Sequence, residues 1–357
     1  MVNAVVRAGA AAAALTLVSM LFVGSFLGAL HDPAPHGLPV GVAGPSAAAR
    51  QLDAAFARRL PGAFTVSAYP GVAAADEAIA DRDADAVLVP GPSSQRLLIA
   101  GAAGRFVTEA VITAFTAEAA ASGQQLTVTD IRPAPPGDPN AITALFFFLG
   151  LALPSAAFGI ALAVLLGRRT PGSAPRRPPE WPARLAALAC FSALAGATAT
   201  WVSDGIVGAL PGAPAALFGV GVLTAFAVSS ACHAAWRLAG APLAALLVLL
   251  FIPVGVPAAG GPFGSSFVTS WYADLGKALP AGAALPAVRD VVSFGGHALA
   301  APLLVLCLWA GISVILSALP APRRRGRSTG TGRWRPGQHG LAKARWRGTL
   351  RAANRKV

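Results

Sequence analysis

Charged side chains are scarce in this chain. Asp, Glu, Lys and Arg make up 12% of the 357 residues, whereas a soluble domain normally carries about 25%. This scarcity excludes an ordinary soluble globular domain. Several apolar runs reach the length of about 20 residues that an α-helix needs to cross the hydrocarbon core of a bilayer. The sequence therefore predicts an α-helical polytopic membrane protein with six transmembrane helices.

Cysteine and the common catalytic motifs are also lacking. The three cysteines lie in or beside apolar runs, which favours packed small side chains over a disulfide framework or a metal site. The chain has no Gly-x-x-x-x-Gly-Lys-Ser/Thr loop, no His-Glu-x-x-His and no plausible Ser/His/Asp order. We therefore expect no ATP site, no cofactor and no enzyme activity.

One short turn has acidic residues at alternate positions, Asp81, Asp83 and Asp85. An EF-hand calcium loop that began at Asp81 would need Gly and Glu where this chain has Ala86 and Pro92. We therefore expect a solvated turn before a strand and no bound metal.

The apolar runs divide the chain into four regions. A cleaved signal peptide is the alternative for the first run, but that run exceeds the apolar core of about 7–15 residues in such peptides. In chain order, the expected regions are a leader and first transmembrane helix (1–30), an inserted extracytoplasmic α/β domain (31–140), five transmembrane helices with a basic loop (167–184) and an outer hairpin (258–296) within 141–319, and a basic disordered tail (320–357).

Charges of opposite sign are segregated along the chain. Residues 31–140 hold 11 acidic and 7 basic side chains, whereas residues 320–357 hold 12 basic and no acidic ones. The loop 167–184 holds five arginines and one glutamate. By the positive-inside rule, the loop and both termini are cytoplasmic and residues 31–140 lie outside a plasma membrane. Because the tail directly follows the last span, we expect it to contact anionic lipids of the bilayer and not nucleic acid.

Alternating and continuous apolar stretches predict secondary structure within residues 31–140. Ser46 is expected to cap the first helix, and Leu52, Ala55, Phe56 and Leu60 are expected to form its apolar face. A region with its own strands and amphipathic helices is expected to fold independently. The expected strands are 38–44, 64–70, 85–91, 95–104 and 126–133, and the expected helices are 46–60, 73–80 and 105–122.

Several segments resemble a known family. They are Leu-Pro-Ala-Gly-Ala-Ala-Leu-Pro-Ala-Val-Arg-Asp at 279–290, Glu-Ala-Ile at 77–79, Asp-Ala-Val-Leu-Val-Pro at 85–90 and Asp-Pro-Asn at 138–140. With the order of the spans, they resemble permeases of the type-2 ABC (ABC-2) transporter class, in particular the YhgE/Pip-like (phage infection protein) group. The resemblance covers most of residues 1–320 and implies a dimer that works with a separate ABC ATPase.

Four polar residues are candidates for a substrate pathway. A charge buried at mid-membrane costs at least about 2.5 kcal/mol on insertion scales, so an acid there would mark a route. Asp204 either has this role or lies at the interface in an outer turn. His233 either gates protons or is an ordinary interfacial histidine near Arg237.

Arg289 and Asp290 lie in the outer hairpin, where they either line a substrate exit or anchor the hairpin at the outer leaflet. Adjacent residues on a helix do not face each other, so we do not expect them to pair together. Arg289 matches the arginine of the resembling permeases, in which this hairpin caps the outer end of the substrate route. It would draw an anionic headgroup outward or hold the cap shut against an acid such as Asp204.

Two function classes remain open. The first is a permease subunit of an ABC-2-like exporter, which would form a homo- or heterodimer and move a lipid, amphiphile or peptide outward with a separate ATPase. The second is a membrane-anchored surface receptor or scaffold whose α/β region binds a cell-wall component, a phage or a partner protein. Five spans beyond the first exceed what an anchor requires, which favours transport.

Overall fold

The computed structural model describes residues 2–92, 94–167 and 181–319. Most of the predicted loop 167–184 and the whole predicted tail 320–357 lie outside the described residues. The elements are α1 (Val2–Leu30), β1 (Leu38–Ala43), α2 (Ser46–Arg59), β2 (Phe64–Tyr69), α3 (Val72–Ala80), β3 (Ala86–Val89), β4 (Ser94–Ile99), α4 (Arg105–Ala121), β5 (Gln125–Asp130), α5 (Thr143–Gly167), α6 (Trp181–Thr200), α7 (Pro214–Ala239), α8 (Ala241–Leu249), α9 (Gly255–Ala258), α10 (Ser270–Lys277), α11 (Pro280–Ser293) and α12 (Ala300–Ala318).

The protein is mostly helical, and six helical segments within the described ranges are long and apolar enough to cross a membrane. They are α1, α5, α6 with the turn that follows it, α7, α8 continued into α9, and α12. The prediction of a multi-pass membrane protein with six spans is confirmed at this level. The helix pattern follows from local hydropathy, because each segment is apolar over a whole bilayer thickness.

A small sheet lies between α1 and α5 in the chain. Among the described residues it has five strands in the order β2-β1-β3-β4-β5. The β3–β4 pair is antiparallel and the other neighbours are parallel. The predicted strands and helices of this region are all present, with shifted ends. The chain from residue 38 to residue 130 is called the sheet region below.

The predicted serine cap of α2 is wrong. Pro45 occupies the position before the first helical residue, and no side chain caps the helix there. The Ser46 hydroxyl instead accepts a hydrogen bond of 3.3 Å from Arg50 Nη1. On the predicted apolar face, Phe56 is buried, as are Leu52 and Ala55, but Leu60 is 41% exposed because the helix ends before it.

Aromatic and branched side chains form the core of the sheet region. The Phe56 ring lies 4.7 Å from that of Phe64 and 5.1 Å from that of Phe115, measured between ring centroids. Two residues from the segment between the fifth and sixth spans, Phe267 and Phe294, belong to the same apolar cluster. The sheet region therefore shares its core with the helices, and independent folding of residues 31–140 stays a prediction.

The helix bundle is held together by small residues. A Cβ atom added to Gly159 of α5 would lie 2.1 Å from the carbonyl oxygen of Ser229 in α7. A Cβ atom added to Gly196 of α6 would lie 2.8 Å from the backbone nitrogen of Val222 in α7. Such close approach of backbones is typical of membrane helices, because lipid supplies no hydrophobic force between them. The central helix is α7, which contacts α5, α6, α11 and α12.

Two spans contain irregular turns. After α6 the chain continues in a π-helical turn, Trp201–Ile206, and α8 is followed by another, Leu250–Val254, which contains Pro253. In the second turn, Pro253 has no backbone N–H group to donate, which interrupts the regular hydrogen bonding of the helix. The Tyr272 phenol donates a hydrogen bond of 3.1 Å to the Val254 carbonyl oxygen.

The segment between the fifth and sixth spans forms a helical hairpin, α10 and α11. The sequence predicts only short pieces there, but α11 runs for 14 residues with Pro286 inside it. Pro280 at its first turn needs no backbone donor, which favours a helix start. A Cβ atom added to Gly282 would lie 2.1 Å from the Gly276 carbonyl oxygen, so the hairpin closes tightly. The hairpin packs against the spans, since α11 contacts α5, α7 and α12.

Candidate functional site at the sheet end of the helices

The helix α11 brings two charged side chains into the protein interior. Arg289 is 8% exposed and Asp290 is 1% exposed. As predicted for neighbours on a helix, they make separate contacts. Asp290 Oδ2 accepts a hydrogen bond of 3.1 Å from the Ala298 backbone N–H, while its Oδ1 has no hydrogen-bond partner in the described part of the chain. Burial raises the pKa of Asp290 above its ordinary value.

Arg289 faces the start of the second span. Its Nη2 donates a hydrogen bond of 3.1 Å to the carbonyl oxygen of Ala141, whose φ of 52° places it in the left-handed region. Asp138 accepts bonds of 2.9 Å from the backbone N–H groups of Ile142 and Thr143 and so caps α5. Burial lowers the pKa of Arg289 to about 10, and Asp138 and Asp85 partly oppose this effect, so the side chain is charged at neutral pH.

The acidic turn before β3 docks onto α11. Arg82, with a φ of 64°, donates from Nη1 to the Pro286 carbonyl oxygen at 3.4 Å, and its guanidinium lies 5.0 Å from the centroid of the Phe294 ring. Asp81 Oδ1 lies 3.1 Å from His297 Nδ1 in the segment before α12. The turn is solvated at Asp83, as expected for a turn before a strand, but Arg82 also connects it to α11.

A cavity of about 150 Å³ lies at this junction, and we call it the junction cavity. Three cations line it, Arg82, Lys277 and Arg289, with the single acid Asp85. Burial raises the pKa of Asp85 to about 6, against the opposing effect of Arg82 and Arg289. The remaining lining residues are Ala103, Val107, Ala259, Gly264, Ser265, Ser266, Gly282 and Pro286.

An apolar groove of about 590 Å³ lies between α5, α6 and the turn that follows α6. Its walls are mostly hydrophobic, and Thr143, Thr198 and Ser203 supply the hydroxyl groups. The Gly150 position borders the groove, and a Cβ atom added there would meet no atom within 4 Å. The dimensions and chemistry suit a hydrocarbon chain.

His233 and Asp204 lie apart from the junction cavity. His233 is buried between α7 and α5, where its Nδ1 lies 3.3 Å from the Gly159 carbonyl oxygen and its Nε2 has no partner. One turn further along α7, Arg237 donates to the carbonyl oxygens of Ser317 and Leu319 and so caps α12. These contacts mark the end of the bundle opposite the sheet.

Asp204 lies in the π-helical turn after α6 and is partly exposed. The acids that act on Arg289 are Asp138 and Asp85, so the predicted opposition of Arg289 and Asp204 is not what the structure shows. Of the four predicted pathway residues, only Arg289 lines the junction cavity, while Asp290 bonds to the segment before α12. Sequence reasoning missed Arg82, Asp85 and Asp138 as members of the site. One feature of the sequence pointed to such residues: an arginine that is buried on α11 requires polar groups from other parts of the chain.

Comparison of the chain with protein-family models, with curated proteins and with solved structures finds no match. Among the described residues, no group of three or more His, Cys, Asp or Glu side chains is placed to hold a metal ion.

Proposed function

We propose that this protein is the permease subunit of an exporter that resembles the ABC-2 class and the YhgE/Pip-like group within it. It would move an amphiphile such as a lipid or lipopeptide outward with the help of a separate ATPase. The observation that carries the proposal is the hairpin α10–α11, which returns into the bundle between the fifth and sixth spans with Arg289 and Asp290 buried on it. A membrane anchor has no need of buried charges, which are costly and mark functional sites.

The apolar groove supports an amphiphile as substrate. An acyl chain fits a groove of about 590 Å³ between α5 and α6, while the polar junction cavity offers cations to a headgroup. The groove and the junction cavity both lie at the end of the bundle next to the sheet. Thr143 of the groove donates its backbone N–H to Asp138, and Asp138 attracts Arg289 of the cavity electrostatically. Substrate release on the sheet side follows from this placement.

The orientation rests on charge. Acidic residues dominate 31–140 and arginines dominate 167–184, so the sheet region is extracytoplasmic, as an α/β domain inserted between the first two spans, and both termini are cytoplasmic. A plasma-membrane exporter of this kind works as a homo- or heterodimer, and its ATPase binds the cytoplasmic end of the spans.

A surface receptor or scaffold is the second candidate, and the sheet supplies its supporting observation. The strands β2 and β5 are the two edges of the sheet in the described part of the chain. An extended segment of a partner can add to such an edge through backbone hydrogen bonds. The two candidates differ in whether an ATPase accompanies the protein.

The test is purification from native membranes in a mild detergent. We expect an ATPase to copurify and its ATP hydrolysis to rise several-fold when a lipid extract of the same membrane is added. Gly150→Phe should keep the ATPase bound but abolish this stimulation, because the phenyl ring fills the groove. Gly219→Phe is the matched control, since Gly219 of α7 also has open space and does not line the groove.

Wild-type protein without any ATPase, with an extracellular partner in its place, would favour the scaffold. Equal stimulation of both phenylalanine variants would exclude the groove as a substrate site.

A further inference from the structure

The charge balance at the junction cavity is incomplete. Arg289 is 8% exposed, yet its Nε has no hydrogen-bond partner among the residues that the structure describes. Within the described ranges, no ion pair of 4.0 Å or less joins either Arg82 or Arg289 to a carboxylate. A buried cation that contacts no carboxylate is costly, because its lost hydration is only partly replaced. The fold therefore holds a positive site that an anion would neutralise.

Asp85 does not fulfil this role. It lies on the same cavity and attracts Arg289 electrostatically, but it makes no ion pair with it. Its own charged form is disfavoured by burial, which raises its pKa to about 6. Asp138 also attracts Arg289, but its two oxygens accept bonds from the N–H groups of Ile142 and Thr143, and within the described ranges it makes no ion pair with the guanidinium. The two arginines of the cavity wall are therefore opposed by one lining acid, Asp85.

The rim of the cavity adds neutral donors. The hydroxyl groups of Ser265 and Ser266 line it, and the ammonium group of Lys277, which is 71% exposed and lies 2.8 Å from Asp274 Oδ1, stands at the solvent side. Gly264 has a φ of 97°, and the absence of a side chain there leaves space beside Val107. The volume of about 150 Å³ admits a compact anion and excludes a large organic one.

We propose that the junction cavity binds a phosphate group, held by the guanidinium groups of Arg289 and Arg82 with Lys277 and the two serine hydroxyls at the rim. Guanidinium suits tetrahedral oxyanions because its N–H donors bind two oxygens at once. The group belongs to free phosphate or to a lipid headgroup. Its assignment to the exported substrate rests on the function proposed above, whereas anion binding itself does not.

The test uses the full-length protein, delipidated in a non-ionic detergent, and follows its melting temperature at constant ionic strength. The probes are inorganic phosphate and dihexanoyl phosphatidic acid, each compared with chloride. We expect stabilisation of the wild type and a dissociation constant at least about tenfold larger for Arg289→Gln and for Arg82→Gln, since each variant loses charged hydrogen bonds to the anion. Arg82→Gln keeps the test decisive if Arg289→Gln does not fold.

Arg105→Gln is the matched control, because Arg105 is exposed, pairs with Glu109 and lies outside the cavity. It should bind phosphate as the wild type does. Stabilisation by phosphatidic acid alone would assign the site to a lipid headgroup, and equal stabilisation by inorganic phosphate would assign it to the free ion. No stabilisation by either probe, or the same stabilisation in all variants, overturns the proposal. An anion site without a copurifying ATPase would refute only the exporter, whereas an ATPase with no anion binding would refute only this site.

Discussion

The sheet region and the helix bundle are packed by different means. In the sheet region, large side chains such as Phe56, Phe64 and Phe115 interlock around one core. In the bundle, glycines at Gly159 and Gly196 let the backbones of neighbouring helices touch α7. The core of large side chains is stable because folding removes apolar surface from water. Close backbone contact between helices is favourable in lipid as well, where apolar burial contributes little.

This difference predicts which kind of substitution destabilises each region. Removing volume damages a core of large side chains, because the cavity left behind is only partly filled. Adding volume damages helices that meet through glycine, because backbone atoms cannot move aside as a side chain can. The two regions meet at α11, which combines small residues with the two buried charges.

The largest effect should come from added volume in the bundle. Gly159→Leu should prevent α5 from packing on α7, since even its Cβ atom would lie 2.1 Å from the Ser229 carbonyl oxygen. We expect the abundance of folded protein, measured by fluorescence-detected size exclusion, to fall close to background. Gly311→Leu on α12 is the control, because a Cβ atom there meets nothing within 4 Å. Normal abundance of Gly159→Leu would contradict the close packing of these helices.

A smaller effect should follow from lost volume in the sheet region. We expect the isolated segment 31–136 to unfold cooperatively and Phe115→Ala to lower its free energy of unfolding by about 3–5 kcal/mol. Phe106→Ala should cost less than about 1 kcal/mol in the same segment, because Phe106 is 36% exposed and its ring partner Phe263 is outside the segment. Chemical denaturation measures both values. A segment that does not fold alone would show that Phe267 and Phe294 are essential parts of its core.

The spans and the strands could be predicted because they depend on local patterns. Hydropathy over a bilayer length identifies α5 or α12 without knowledge of their neighbours. The helix α11 was missed as a continuous element, because Pro280, Gly282 and Pro286 lower local helix propensity while its burial depends on α7 and α5. Tertiary packing therefore stabilises α11 although the helix propensity of its own sequence is low.

The site was predictable to a lesser degree. Arg289 and Asp290 were candidates because they lie in the outer hairpin and because Arg289 matches the arginine of the resembling permeases. Their surroundings were not identified, because the turn that holds Arg82 is more than 200 positions away in the sequence and reaches α11 only through the fold of the sheet. Asp204 follows the groove residue Ser203 and so lies at the same end of the bundle, but the acids that act on Arg289 are Asp138 and Asp85.

The smallest effect concerns Asp85, where the sheet region meets the bundle. Its pKa is raised from 3.8 to about 6 in the folded protein, mainly by burial. The fold therefore favours the protonated carboxyl: this stabilisation is complete below about pH 4 and is lost as the pH rises through 6. Above pH 6 the ionised carboxylate destabilises the protein, because Arg82 and Arg289 only partly compensate for its lost hydration.

Asp85→Asn removes that cost, since the amide is neutral at every pH. We expect it to raise the free energy of unfolding at pH 7.5 by about 1–2 kcal/mol, which is less than the full value of 1.36 kcal/mol per pKa unit because the side chain is partly exposed. At pH 4.5 its melting temperature should match that of the wild type. Asp83→Asn, at an exposed position of the same turn, is the matched control for replacing a carboxylate with an amide. A gain for Asp85→Asn that does not depend on pH would mean that hydrogen bonding, and not the buried charge, determines the stability of this junction.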